Sequence, residues 1–297
     1  YKNYNFLKLS PQNKDDFVNQ FAYHADFINP PPGYYEHATV LNGRIARQAN
    51  INDEIGYQVK LSGPIGVNHT ASISLAKSSQ HQSWIQNNEY QWIVEDDINW
   101  MPSSKEFAIP YNELFINFDG SFFNYKLFYE IGWSSIKDVQ YLFANQNRSN
   151  GLFRVHELLN SQAIPINITY AINKQYSLAF KFEYQELEQG SFREINNESS
   201  FISVVGKPLR YNNVISLGLA SSPRWSITYL QDNTSIDEKS FKRDQWSYWE
   251  VLYRVNQNIL LTYFNGSLKG GLVCSNGVCR YKQPFEDGHK VTLVYTF

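Results

Sequence analysis

The residues able to do chemistry are few and dispersed. Six histidines, His24, His37, His69, His81, His156 and His289, stand singly along 297 residues. No pair has a ligand spacing such as His-x-x-x-His, so they do not read as a metal site. His156 adjoins Glu157, but neighbours on a strand face opposite sides, which argues against a dyad. The run Glu95-Asp96-Asp97 offers oxygen ligands of the kind Ca²⁺ takes, without the spacing of a calcium loop. It reads as a solvated acid run. No Gly-x-Ser-x-Gly elbow occurs, and no serine can be paired with a histidine from spacing. The expectation is a protein without catalytic residues, metal or cofactor, and so not an enzyme.

The two cysteines lie close together, in Cys274-Ser275-Asn276-Gly277-Val278-Cys279. Asn-Gly is the dipeptide that a type I′ hairpin turn favours most. A two-residue loop there makes Ser275 and Val278 the closing pair. Cys274 and Cys279 then become the next, non-hydrogen-bonded pair, with Cα atoms about 4.5 Å apart, near the short end of disulfide geometry. A disulfide in an oxidising compartment is expected. The alternative, a metal or redox dithiol, has no second cysteine pair and no nearby histidine to support it.

The elements that hold these residues are strands. Tyr176, Leu178, Phe180, Phe182 and Tyr184 alternate with Ser177, Ala179, Lys181, Glu183 and Gln185. Trp249, Val251, Tyr253 and Val255 alternate with Glu250 and Arg254. Phe123, Tyr125, Leu127, Tyr129, Ile131 and Trp133 alternate with Asn124, Lys126 and Glu130. A soluble sandwich alternates too, but here the apolar faces are wide, and aromatic residues recur near the strand ends. That is the pattern of lipid-facing strands with aromatic girdles. The polar faces carry both signs, as a barrel lumen would. Lys60, Lys126, Glu130, Lys181, Glu183, Glu250, Arg254 and Lys290 are the candidate lumen charges. They suit either a salt-bridge network that fills the lumen or the charged constriction of a pore.

Turns support the same class. Short connections are expected at Val67-Asn68, Pro102-Ser103-Ser104, Ser134-Ser135, Asn173-Lys174, Ser221-Ser222-Pro223 and Asn256-Gln257-Asn258, with a tight turn at Asp119-Gly120. Longer polar connections fall near 30–53, 81–88, 145–151, 188–212, 232–245 and 270–288. Outer-membrane barrels alternate in this way, with short periplasmic turns and long extracellular loops. The expectation is an all-β, antiparallel transmembrane β-barrel of about 14 strands over residues 17–297, after a polar segment 1–16. Both termini would be periplasmic. Strands in lipid must close without an edge, so the last strand would pair with the first, near Phe17–Asn29.

The last strand ends the chain on Val291, Leu293, Tyr295 and Phe297, all on one face. This resembles the terminal signal that the outer-membrane barrel assembly machinery reads. The run Gly270-Gly271-Leu272-Val273-Cys274-Ser275-Asn276-Gly277-Val278-Cys279-Arg280, with Pro284 and the terminal Phe297, resembles the C-terminal signature of an uncharacterised Bacteroidota outer-membrane β-barrel family. The resemblance extends over residues 54–297. It implies a fold and a location, and no activity.

A net charge of −2 removes the electrostatic footprint of a nucleic-acid binder. The expected surroundings are outer-membrane lipid and lipopolysaccharide, the assembly machinery during biogenesis, and other subunits of an outer-membrane complex. A scaffold or subunit with a filled lumen is the leading reading. A pore or transporter for a small solute comes next, and a barrel hydrolase last. Trp84, Tyr90, Trp92 and Trp100 suit either a membrane girdle or a protein contact.

Overall fold

The computed structural model describes residues 40–45, 54–80, 82–86, 92–98, 100–104, 108–147, 151–195, 205–206, 209–235, 244–275 and 278–296. Alternating β-branched and aromatic residues dictate pleated strands, and strands make up nearly all of what is described. In chain order they are β1 (Glu54–Pro64), β2 (His69–Gln80), β3 (Gln82–Gln86), β4 (Trp92–Ile98), β5 (Tyr111–Phe122), β6 (Leu127–Asn147), β7 (Gly151–Ala171) and β8 (Tyr176–Ile195). There follow β9 (Val205–Gly206), β10 (Arg210–Ser221), β11 (Trp225–Thr234), β12 (Gln245–Arg254), β13 (Ile259–Leu268), β14 (Gly271–Ser275), β15 (Val278–Lys282) and β16 (Phe285–Tyr295). A single turn of helix, α1 (Val40–Arg44), precedes them.

Eleven strands form one antiparallel meander in the order β1-β2-β5-β6-β7-β8-β10-β11-β12-β13-β16, with β9 beside the far end of β8. The hairpins β3–β4 and β14–β15 are separate two-stranded sheets inserted between ladder strands. At one end the strands are joined by tight turns at 65–68, 123–126, 172–175, 222–224 and 255–258. The longer connections gather at the other end. There β6, β7 and β8 run for 21, 21 and 20 residues and rise past neighbours of 10 to 12.

The ladder corrects three expectations about strands and turns. Among the described residues eleven strands form the meander and β9 makes a twelfth in the sheet, against about 14 expected. Ser134 and Ser135 are not a turn; they pair with Ala163 and Gln162 inside β6, which runs unbroken through 137–145. Small polar residues suit a turn, but they also fit within a strand, where Ser134 faces the buried side and Ser135 the opposite one. Asp119 and Gly120 are also mid-strand, opposite Thr70 and His69. The turn falls at 123–126, where Phe123, Asn124 and Tyr125 all take positive φ. The expected first strand near 17–29 lies outside the described residues. Among the described strands β1 and β16 are the sheet's two edges, so the described sheet is not closed.

The two faces differ in chemistry. Reading four outward positions up from the tight-turn end of each of the eleven strands, none is Asp, Glu, Lys or Arg. Leu61 is 65% exposed, Val291 67% and Leu293 66%. Tyr129, Tyr170, Tyr176, Trp225, Tyr253 and Tyr295 ring the tight-turn end of this face. Tyr57, Trp133, Tyr184, Tyr211 and Trp249 ring it higher up, with aliphatic residues between. The opposite face holds the buried groups. Among the described residues eighteen buried side chains are polar or charged and thirteen are apolar. A water-soluble sandwich partitions the other way, because apolar burial is its main driving force.

Candidate functional site

The polar face is concave and is occupied by a short segment of the chain itself. Six residues, Val40–Ile45, touch strands from well-separated parts of the meander. The Val40 and Leu41 amides donate to Glu183 of β8, at 3.0 Å to Oε1 and 2.9 Å to Oε2. One carboxylate thus satisfies two amide donors that the first turn of a helix leaves unpaired. Asn42 Nδ2 donates to Ser134 Oγ of β6 at 3.0 Å. The Arg44 guanidinium grips Asp232 of β11 with both terminal nitrogens, Nη1 at 3.2 Å from Oδ1 and Nη2 in a shorter bond to Oδ2. Ile45 packs on Ala76, Tyr111 and Ile136 of β2, β5 and β6. Seven residues up from the tight-turn end lie Ser134, Glu183 and Asp232 alike, so the segment is tied at one level.

These ties are dry. Glu183 is 6% exposed, Asp232 2% and Leu41 1%. Around them the inner face is knitted by side-chain bonds between strands. Asn212 Nδ2 donates to Gln185 Oε1 at 3.0 Å, and Thr234 Oγ1 donates to Asn212 Oδ1. Tyr111 donates its hydroxyl to Glu113 Oε2 at 2.8 Å. Gly132 leaves room for the Phe115 ring, which lies where a β-carbon would stand.

The segment does not reach the other flank of the sheet. A cleft of about 430 Å³ lies there, on the inner side of β12, β13 and β16. Tyr248, Glu250, Thr262, Phe264, Lys290 and Thr292 line it, and Leu268, Pro284 and Phe285 border it toward the long-connection end. Next to it Lys269 lies over the Trp246 ring, 5.1 Å from the centroid. Burial holds the Lys269 amine down to about 8, against the pull of Asp232, which favours its charge.

Of the candidate lumen charges, Lys60, Glu130, Lys181, Glu183, Glu250, Arg254 and Lys290 all stand on the inner face. Lys126 does not. It belongs to the exposed turn 123–126, because the turn falls after Phe122 rather than at Asp119-Gly120. The structure brings Glu250 and Lys290 to one cleft and sets Glu183 against α1, and it pairs Glu130 with Asn167 at 2.9 Å. Val291, Leu293 and Tyr295 share the outward face of β16, while Phe297 lies outside the described residues. Cys274 stands opposite Cys279 and Ser275 opposite Val278, the register of a two-residue loop.

His69 and His289 face outward and bond Tyr129 and Tyr263 hydroxyls at 2.9 and 2.8 Å. Among the described residues no three of His, Cys, Asp and Glu approach closely enough to hold a metal ion. The sequence reading missed Asn42, Arg44 and Asp232. Val40–Ile45 is too short for any periodicity, and Asp232 sits where a strand gives way to a polar connection.

No curated protein matches the chain. Among solved structures it is similar to P. aeruginosa FpvA bound to heterologous pyoverdines with iron, at 9% identity and a TM-score of 0.36. The match covers 72% of this chain and 35% of that one, so the chain spans about a third of that protein's length. At that score the likeness carries no argument about fold or function. A family model for a family of unknown function, DUF6029, matches residues 8–297, and the chain belongs to that family.

Proposed function

We propose that this protein is a non-catalytic, integral outer-membrane β-barrel whose lumen is obstructed by its own chain. It would serve as a scaffold or subunit of an outer-membrane assembly. The observation that carries the reading is the inverted partition of the sheet: a charge-free apolar band outside, and a buried polar face tied to Val40–Ile45 inside. Lipid accounts for an exposed apolar band about 25 Å tall flanked by aromatic residues, which water would penalise. Lipid, lipopolysaccharide, the barrel assembly machinery and other complex subunits are its proposed partners.

On this reading the barrel needs one strand more to close. β1 and β16 both run from the long-connection end to the tight-turn end, so they cannot pair antiparallel with each other. One further strand running the opposite way would pair with both and make the count even. Residues 17–29 are the segment we assign to it.

The test is conductance of the folded protein in a planar bilayer. The wild type should give no stable step, and Asp232→Ala, which frees Arg44, should give measurable openings. Wide, stable wild-type steps would overturn the obstructed lumen and leave an open pore. The cleft beside the obstructing segment favours a second reading, in which a small solute is bound or passed.

A further inference from the structure

Two opposite charges on the inner face share one cleft and have no partner among the described residues. Glu250 of β12 stands opposite Phe264 of β13, and Phe264 stands opposite Lys290 of β16. Residues directly opposite in a ladder point to the same face, so the three form one row across the cleft wall. Neighbouring strands lie about 4.8 Å apart, which sets the acid and the base about 10 Å apart at their backbones, with a ring between. Among the described residues neither Glu250 nor Lys290 makes a hydrogen bond or an ion pair. Two acids toward α1 are engaged elsewhere: Glu183 by the α1 amides and Asp232 by Arg44. The ring is fixed in place, with Tyr248 at 4.7 Å and Phe285 meeting it edge-on at 5.5 Å.

We infer that this cleft binds a small zwitterion with an apolar or aromatic body, of the amino-acid or short-peptide class. Its ammonium faces Glu250, its carboxylate faces Lys290, and its body covers Phe264. A volume of about 430 Å³ falls inside the range of small-molecule sites, about 300–1,000 Å³. The wall is mixed, with Phe264, Phe285 and Leu268 beside Thr262 and Thr292, and a few convergent charges on such a wall can orient a ligand. Glu250 is half-buried and Lys290 is exposed, so both charges are open to a solute that carries the opposite sign. The inference rests on the barrel reading, because a closed wall of strands is what makes the cleft a lumen site.

The experiment is calorimetric titration of the refolded full chain in detergent. Three probes are used: phenylalanine, N-acetylphenylalanine, which lacks the ammonium, and phenylalanine amide, which lacks the carboxylate. Phenylalanine should bind, and each blocked form should bind about ten- to a hundredfold more weakly. Glu250→Gln should weaken phenylalanine and remove the preference over the N-acetyl form. Lys290→Gln should do the same for the amide. Binding of all three probes alike, or of none, by folded wild-type protein would overturn the proposal. Failure of the barrel reading has its own signature: loss of heat-modifiable migration and of insertion into vesicles, whatever the titration gives.

Discussion

Arg44 and Asp232 show how a single pair can hold a segment across a sheet. Both side chains are largely dry, so their value lies in completing each other. Asp232→Ala should cost about 3 kcal/mol in denaturant unfolding, because it strands a buried guanidinium. Arg44→Met with Asp232→Leu should recover most of that loss, since neither charge then remains. Lys269 gives a pH signature at the same scale. Its amine titrates near 8 in the folded protein, against an ordinary 10.5. Between those values the unfolded chain binds more protons than the folded one, so stability rises with pH across that window. Below about 8 the penalty is present in full. Unfolding midpoints at pH 8 and pH 10 should therefore differ for the wild type, and the difference should shrink in Lys269→Met.

At the level of the element, the outward positions decide what surrounds the sheet. Leu217 projects from the middle of β10, with Phe180 of β8 and Tyr229 of β11 beside it. Leu217→Arg should destabilise the protein in lipid vesicles by about 2–4 kcal/mol, the cost of a cation at mid-bilayer. A loss of under about 0.5 kcal/mol, as for an exposed site in water, would count against lipid on this face. Gly266 illustrates the opposite constraint on the inner face. Its φ is +131°, and a β-carbon there would run into the Ser247 carbonyl and Tyr248. Without a side chain, β13 can approach β12 next to the cleft.

For the whole molecule, closure is the quantity to measure. A sheet with free edges at β1 and β16 would invite pairing with other chains, and a closed barrel has no such edge. The full chain should migrate faster unboiled than boiled in detergent gels. If residues 17–29 close the barrel as proposed, deleting residues 1–39 should abolish that difference. A truncated protein that kept the shift would show that the described strands close by some other route.

The periodicity of two was enough to give the all-β antiparallel class, the strand faces and the inward charges other than Lys126, because a pleat fixes which residues share a side. The Asn276-Gly277 turn likewise gave the register that sets Cys274 against Cys279. Sequence failed where a local signal has two causes. Ser134-Ser135 and Asp119-Gly120 carry turn chemistry, yet they sit mid-ladder, where Ser134 and Asp119 face the inner polar side and Ser135 and Gly120 the outer one. Only the tertiary structure could bring Arg44 to Asp232, 188 residues away, or Val40 to Glu183, 143 away. Only it could bring Glu250 and Lys290 to one cleft without partners among the described residues. Such meetings depend on how the sheet curls, and no local propensity along the chain encodes that.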